Sequence, residues 1–159
     1  MIHIRAPHAY PTDKPVIFLA GSIEMGVAAD WQTDVANAME NLDVTLLNPR
    51  REHWDSSWKQ SASNENFHEQ VSWELAGQEH AAMILFYFDP ATKSPISLLE
   101  LGLFHTKNIL VCCPEGFWRR GNIEMVCERY HIPLHTDMGS MLAQARNLLT
   151  PTTMMPSVL

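Results

Sequence analysis

Basic residues are scarce in this chain, and the shortage excludes one large class of partner. Lysine and arginine together number 11, against 18 aspartates and glutamates, which gives a formal net charge of -7. A field of this sign repels polyphosphate, so nucleic-acid polymers are not expected as partners. The local pairs Arg50-Arg51 and Arg119-Arg120 can still meet a single phosphate or carboxylate, or can be solvated loop charges.

Motifs for cofactors and metals are missing as well. Gly21 follows an apolar run, but it has neither the glycine spacing of a dinucleotide fingerprint nor the lysine of a P-loop. His68-Glu69 lacks the second histidine of the His-Glu-x-x-His zinc pattern, and the Gly-x-Ser-x-Gly elbow of serine hydrolases does not occur. We therefore expect neither a metal nor a cofactor.

Cysteine is rare, and the first fifteen residues contain no long apolar segment. Cys112 and Cys113 are adjacent in an apolar run, so a strand would point them to opposite faces, where they could not share a metal. With Cys127 they form an odd set without a disulfide framework, which is typical of buried thiols in a reducing compartment. Residues 1–15 resemble neither a signal peptide nor a membrane anchor, so we predict a cytoplasmic protein that does not bind a membrane.

The remaining pattern predicts one α/β domain. A chain of 159 residues with 46% hydrophobic residues can bury a sizeable single core. Short apolar runs alternate with helical patterns, which predicts a central parallel sheet of about five strands in a three-layer, flavodoxin-like or Rossmann-like fold. We assign residues 1–15 to an N-terminal extension, 16–150 to the domain and 151–159 to a loose tail. The expected strands are Val16–Ala20, Val44–Leu47, Ala82–Phe88, Asn108–Cys113 and Ile132–Leu134; the expected helices are Val27–Leu42, Glu65–His80, Pro95–Phe104, one from Gly121 or Asn122 to Tyr130, and Met138–Leu149.

Ligands of such sheets bind beyond the carboxyl ends of the strands, near the point where the strand order reverses. The segments expected there are Gly21–Ile23, Asn48–Trp58, Asp89–Ser94 and Pro114–Asn122. The long polar segment from Arg50 to Asn64 carries Trp54 and Trp58, which could stack on a base or pack at a subunit interface.

Glu100 is the most informative residue for function. It lies near the middle of a helix that is otherwise almost entirely apolar, and a carboxylate is rarely buried without compensation. An internal salt bridge, or contact with water at the edge of the helix, would explain this position of Glu100. A catalytic role for the carboxylate would explain it equally well.

Several segments together resemble the nucleoside 2-deoxyribosyltransferase family and the related deoxynucleotide N-glycosidases. They are Val16–Ile23, Trp73–Gly77, the strand Met83–Phe88 and, above all, Ser97–Gly102, and the likeness spans roughly residues 16–125. The resemblance implies that Glu100, in the Glu-Leu-Gly segment, is the nucleophile. It also implies that Glu74, which stands 26 positions earlier, lies beside the base and protonates it on departure. Glu74 would otherwise be a surface charge on an amphipathic helix.

The resemblance also implies other substrate contacts and an oligomer. Asn122 and Met125 lie in a segment whose asparagine reaches a neighbouring subunit's site in the family, which implies a homo-oligomer with sites at subunit interfaces; Asn122 could alternatively cap a helix. Phe18 replaces a family tyrosine that orients the nucleophile, and Ser94 replaces an aspartate that binds the sugar. These departures indicate a divergent branch.

The implied activity is transfer of deoxyribose between nucleobases, in salvage or modified-nucleoside metabolism. The substrates would be a small nucleoside or nucleotide and a free nucleobase. The alternative within the same chemistry is hydrolysis of a deoxynucleoside 5′-monophosphate, with phosphate contacts from Gly21 and Ser22. A catalytically silent ligand-binding protein is a third hypothesis. Base preference, the need for a 5′-phosphate and the number of subunits cannot be read from the sequence.

Overall fold

The computed structural model describes residues 1–24, 28–53, 55 and 57–150. They form a parallel sheet of six strands in the order β1-β3-β2-β4-β5-β6, with five described helices. The strands are β1 Ile2–Arg5, β2 Val16–Gly21, β3 Thr45–Asn48, β4 Met83–Tyr87, β5 Ile109–Cys112 and β6 Leu134–His135. The helices are α1 Trp31–Met39, α2 Glu65–His80, α3 Pro95–Leu103, α4 Arg120–Tyr130 and α5 Met138–Leu149. The α/β class and the three-layer fold are confirmed.

The alternation of side chains along the strands divides the core into two halves. Phe18, Ile84, Phe86 and Val111 face one side, where they pack against α2, α3 and α4. Ile17, Leu19, Leu85 and Leu110 face the other side, where they pack against α1 and α5. Cys113 belongs to the first half and Cys112 to the second, so the two thiols lie on opposite faces of the sheet, as predicted.

The strand order reverses beside β2. The chain runs from β2 to β3 on one side and then crosses to β4 on the other, so the switch point lies between β2 and β4. Gly21 is paired with Tyr87 at the carboxyl ends of these two strands. This geometry places the turns after Gly21 and Tyr87 at the expected ligand-binding edge.

Three elements differ most from the sequence-based prediction, while the bounds of β2 to β5, α3 and α4 shift by about one residue. The expected sheet of about five strands has six, because Ile2–Arg5, within the segment assigned to an extension, pairs in parallel with β3. Helix α1 begins at Trp31, where Asp30 accepts a hydrogen bond from the amide of Thr33 and caps it; Val27, the expected start, lies outside the described residues. The last strand is Leu134–His135 rather than Ile132–Leu134, because Leu134 is the residue that pairs with Val111.

Helices α2 and α5 have the predicted bounds, and Asn64 caps α2 by accepting a hydrogen bond from the amide of Phe67. Residues 151–159, expected to be a loose tail, lie outside the described residues. Among the described helices, none is both long and apolar enough to cross a bilayer.

Candidate active site

The buried stripe of helix α2 is polar, which is unusual for a helix that covers a sheet. Gln70, Glu74 and Gln78 are spaced four residues apart and therefore share one face. Gln70 and Gln78 are 4% and 0% exposed, so their amides are available to neighbouring side chains rather than to water. Neither Gln70 nor Gln78 carries a charge or belongs to a recognised motif, so nothing in the sequence singles them out.

Glu100 on α3 is held by α2. Its Oε1 accepts a hydrogen bond from Nε2 of Gln78 at 2.7 Å. Burial and, to a smaller extent, the charge of Glu74 raise the pKa of Glu100 to about 7, while the Gln78 hydrogen bond acts in the opposite direction. In the described part of the chain, no lysine or arginine forms an ion pair with Glu100. The salt-bridge explanation for this residue is therefore not supported.

Glu74 lies one turn before Gln78 and has its own amide donor. Its Oε1 accepts from Nε2 of Gln70 at 2.7 Å, and the same amide group donates to the carbonyl of Pro49 at 2.9 Å. Burial raises the pKa of Glu74 to about 6, although the Gln70 hydrogen bond and the Arg51 charge both lower it. Glu74 is therefore a partly buried carboxyl group within electrostatic reach of Glu100, and not a surface charge.

Burial brings the pKa values of both carboxyl groups close to neutral pH, and the charge of Glu74 acts on Glu100. Their pKa values of about 6 and about 7 bracket the range in which one group is ionised and the other is protonated. A carboxylate beside a carboxylic acid is the pair that glycosidic-bond cleavage by nucleophile and acid requires.

Phe18 packs against helix α2, which carries Glu74 and Gln78. It is 1% exposed, and its ring lies 6.0 Å from that of Trp73. A Cβ atom on Gly77 would approach two ring carbons of Phe18 to 2.8 Å, so only glycine allows α2 to lie this close to β2. Phe18 therefore positions the carboxyl-bearing helix through packing, and it has no hydroxyl with which to bind Glu100.

Gly21 and Ser22 lie at the switch point, as expected. Gly21 has φ +137°, and a Cβ atom there would come within 2.2 Å of the carbonyl oxygen of Tyr87. The Ser22 hydroxyl lies 2.6 Å from that of Ser94 and 2.8 Å from that of Thr92, and it accepts from the amide of Asp89. Ser22, Thr92 and Ser94 are all at most 4% exposed, so their hydroxyls bond mainly to one another.

The start of α3 is capped in an unexpected way. Ser94 occupies the N-cap position before Pro95, but its side chain makes no capping hydrogen bond and its φ is 46°. The Glu24 carboxylate instead accepts from the amides of Lys93 and Ser94. Glu24 is not among the predicted site residues, because about seventy residues separate it from α3 and no local pattern links the two.

Asn122 and Met125 lie on α4. Asn122 is within the helix rather than at its cap position, which Arg119 occupies. Together with Leu98, Gly102 and Trp118, it lines a groove between α3 and α4 of about 330 Å³. Met125 is 66% exposed beside this groove. Among the described residues, neither of them forms a hydrogen bond with Glu74 or Glu100 of the same chain, whose partners are Gln70 and Gln78.

The aromatic and basic residues of the site loops have definite neighbours. Arg51 forms an ion pair with Glu69 and lies 5.3 Å from the centre of the Trp58 ring. Arg50 donates to Gln32 and to the carbonyls of Ala28 and Ala29. Trp54 lies outside the described residues.

The second arginine pair is also engaged. Arg119 stacks over Trp118 at 4.5 Å, and Arg120 donates to Glu124 and to the carbonyl of Cys113. Of the four arginines, only Arg51 influences the pKa of Glu74. The loop after β3 therefore brings a cation within electrostatic reach of Glu74.

Comparison with known protein families gives a match. The model of a family described as nucleoside 2-deoxyribosyltransferase like matches residues 14–117, about two thirds of the 159-residue chain. The matched range contains both carboxyl groups and the switch-point turns. No curated protein matches the sequence.

Proposed function

The chain belongs to the nucleoside 2-deoxyribosyltransferase-like family, and from this membership we propose that it cleaves the N-glycosidic bond of a 2′-deoxynucleoside and transfers the deoxyribose to another nucleobase. The observation that carries the proposal is the pair of partly buried carboxyl groups, Glu74 and Glu100, which are held by amide donors and have raised pKa values. A silent binding protein would have no need to maintain such a pair at a cost in stability.

In the proposed first half-reaction, the Glu100 carboxylate attacks C1′ while the bond from C1′ to the base nitrogen breaks. Glu74 gives its proton to the departing base, so a neutral base leaves and a deoxyribosyl ester of Glu100 forms. In the second half-reaction a nitrogen of the incoming base attacks C1′ and loses its proton to Glu74, and Glu100 leaves as a carboxylate. Two inversions retain the configuration at C1′.

Two contacts favour an unphosphorylated nucleoside over the 5′-monophosphate. The amides of Lys93 and Ser94, where a phosphate could bind at the start of α3, already donate to the carboxylate of Glu24. The amide of Ser22 donates to the carbonyl of Tyr87. A phosphate at this turn would have to displace a negatively charged side chain.

We further propose that a second copy of the chain covers the outer face of α3 and α4. Ile96, Leu99 and Leu103 share one stripe of α3 and are 61%, 67% and 57% exposed, and Met125 of α4 is 66% exposed. Apolar side chains clustered in this way mark protein interfaces. Asn122 lines the adjoining groove and would, as in the family, reach the partner's site.

The three thiols are consistent with the cytoplasmic location that we propose. Cys112, Cys113 and Cys127 are buried and form no disulfide, and burial raises the pKa of each thiol to about 11 or 12. They are expected to be inert structural residues.

The function is tested by incubating the protein with a 2′-deoxynucleoside and a different free base, and in parallel with the corresponding 5′-monophosphate. We expect a new nucleoside from the unphosphorylated substrate. Free base and sugar alone, formed only from the monophosphate, would establish hydrolysis instead. The absence of both reactions with every natural base would favour the binding-protein hypothesis.

A slow 2-fluoro sugar substrate identifies the nucleophile. We expect a covalent adduct on the peptide that contains Glu100, which mass spectrometry can locate. The Glu100→Ala variant should form no adduct, whereas Glu40→Gln, a change at an exposed residue that follows α1, should label like the wild type. An adduct on another residue would reject the assignment of Glu100.

A further inference from the structure

We propose that Gln78 is the positioning residue of this site: its amide N–H holds the Glu100 carboxylate and favours the arrangement in which Glu100 is ionised while Glu74 carries the proton. The inference rests on the proposed function, since this is the arrangement that the first half-reaction needs.

The geometry around Gln78 is fixed from several directions. The side chain is 0% exposed, and its Nε2 lies 2.7 Å from Oε1 of Glu100. The neighbouring Gly77 allows α2 to rest on the ring of Phe18, so the backbone that carries Gln78 cannot drift outward without losing this contact. Hydrogen bonds from an N–H to a carboxylate are about twice as strong as neutral ones.

No other described side chain donates a hydrogen bond to Glu100. Phe18 carries no hydroxyl, so the donor that the family resemblance leads one to expect from β2 is absent. Gln78 supplies an amide donor from α2 instead. The nucleophile is therefore oriented from the helix above the sheet rather than from the strand below it.

The side-chain carbonyl oxygen of Gln78 argues against a purely structural role for this residue. Its Oε1 is buried and has no hydrogen-bond partner within the described residues. An unpaired buried carbonyl oxygen is costly, and an apolar side chain of similar size would avoid the cost. Among the described residues, the one hydrogen bond that compensates for this polar side chain is that with Glu100.

The surrounding charges show why such a donor is needed. Burial and Glu74 raise the pKa of Glu100, whereas Arg51, which is itself paired with Glu69, lowers the pKa of Glu74. These surroundings favour the proton on Glu100 over Glu74. The hydrogen bond from Gln78 opposes this by favouring the ionised form of Glu100, while the hydrogen bond from Gln70 favours the ionised form of Glu74.

This opposition provides a matched pair of variants. Gln78→Met and Gln70→Met each remove one amide donor from the same face of α2 and replace it with a side chain of similar length. Losing a donor to a carboxylate changes its proton affinity by roughly tenfold to a hundredfold. Gln70 also donates to the carbonyl of Pro49, so the folded fraction of each variant is measured by circular dichroism and activity is expressed per folded molecule.

The experiment measures kcat/KM for transfer as a function of pH. The wild type should give a bell-shaped profile, because below the bell Glu100 is protonated and above it Glu74 has lost its proton. Gln78→Met should lower the maximum about tenfold to a hundredfold and move the alkaline limb to higher pH, because Glu100 is the group that holds its proton more tightly. Gln70→Met should also move the profile upward, but its maximum should stay equal or rise, by at most about tenfold.

An equal loss of activity in both variants, with unchanged pH limbs, would reduce Gln78 to a structural role and overturn the inference.

A carbon-13 NMR titration of the glutamate carboxyl carbons, in which the Glu100 signal is assigned by its absence from Glu100→Gln, tests the inference without turnover. The pKa of Glu100 should rise in Gln78→Met, and an unchanged value rejects the inference even in an active enzyme. If Gln78→Met does not fold, Gln78→Asn, whose shorter side chain withdraws the amide, is used with the same expectations. A wild type without either reaction would reject the proposed function, while the titration still decides the inference.

Discussion

Glu100→Gln should make the protein more stable as well as inactive, and the gain should depend on pH. Glu100 is partly buried with no cationic partner in the described chain, so its ionised form is poorly solvated in the folded state. The folded state therefore holds the proton more tightly than the unfolded chain does. Glutamine has almost the same shape and no charge to solvate, and it can still bond to Gln78.

The magnitude follows from the two pKa values. The pKa of Glu100 is 4.5 without the protein environment and about 7 within it. At about 1.4 kcal/mol for each pKa unit, the difference amounts to about 3 kcal/mol. Because the folded pKa is the higher one, the stability of the wild type is greatest below pH 4.5 and decreases as the pH rises to 7. Glu100→Gln lacks this loss, so it should be about 3 kcal/mol more stable at pH 8 and nearly equal to the wild type near pH 4.5.

Urea denaturation of both proteins at half-unit intervals from pH 4.5 to pH 8, followed by tryptophan fluorescence, measures this difference. Glu40→Gln serves as the matched control, since that residue is exposed, and its effect should be small at every pH. The reasoning would be refuted if Glu100→Gln were less stable than the wild type at pH 8. A difference that does not vary with pH would also refute it, because it would mean that Glu100 is well solvated or paired.

Three further changes have defined outcomes. Gly77→Ala should lower the free energy of unfolding by roughly 1–3 kcal/mol, because the added methyl group collides with Phe18. Gly121→Ala, which has open space around it, should be neutral or stabilising by up to about 1 kcal/mol. Equal effects of the two changes in urea denaturation would contradict the close approach of α2 to β2. Leu99→Asp should weaken self-association at least about tenfold in sedimentation equilibrium, and an unchanged constant would move the interface elsewhere. Glu24→Ala should cost about 1 kcal/mol in urea denaturation by removing the cap of α3, and no loss would show that the cap is dispensable.

The sequence predicts most of the fold because apolar runs identify the buried strands. Strand β4 is a run of apolar and aromatic residues before Asp89-Pro90, and its position in the middle of the sheet follows from that run. Strand β1 escapes prediction because Ile2–Arg5 is short and contains a histidine and an arginine, as an edge strand can. Its partner β3 lies far along the chain, so no local pattern reveals the pairing.

The candidate site is predicted unevenly for a similar reason. Glu100 stands out because an ionisable group in an apolar helix is conspicuous, and Glu74 is found only through the family spacing. Gln70 and Gln78 carry no charge, and their importance depends on which side chains the fold brings near them. The apolar stripe of Ile96, Leu99 and Leu103 is visible in the sequence, but its exposure is not, since a helix apolar on every side is ordinarily read as buried.

The pairing of β1 with β3 affects how the protein can be shortened. The family match begins at residue 14, so a gene trimmed to the matched range would omit Ile2–Arg5. The backbone groups of Thr45–Asn48 that pair with β1 would then face water as an open sheet edge. Open edges recruit strands from other molecules, and a shortened protein is therefore expected to aggregate even though every proposed catalytic residue is retained.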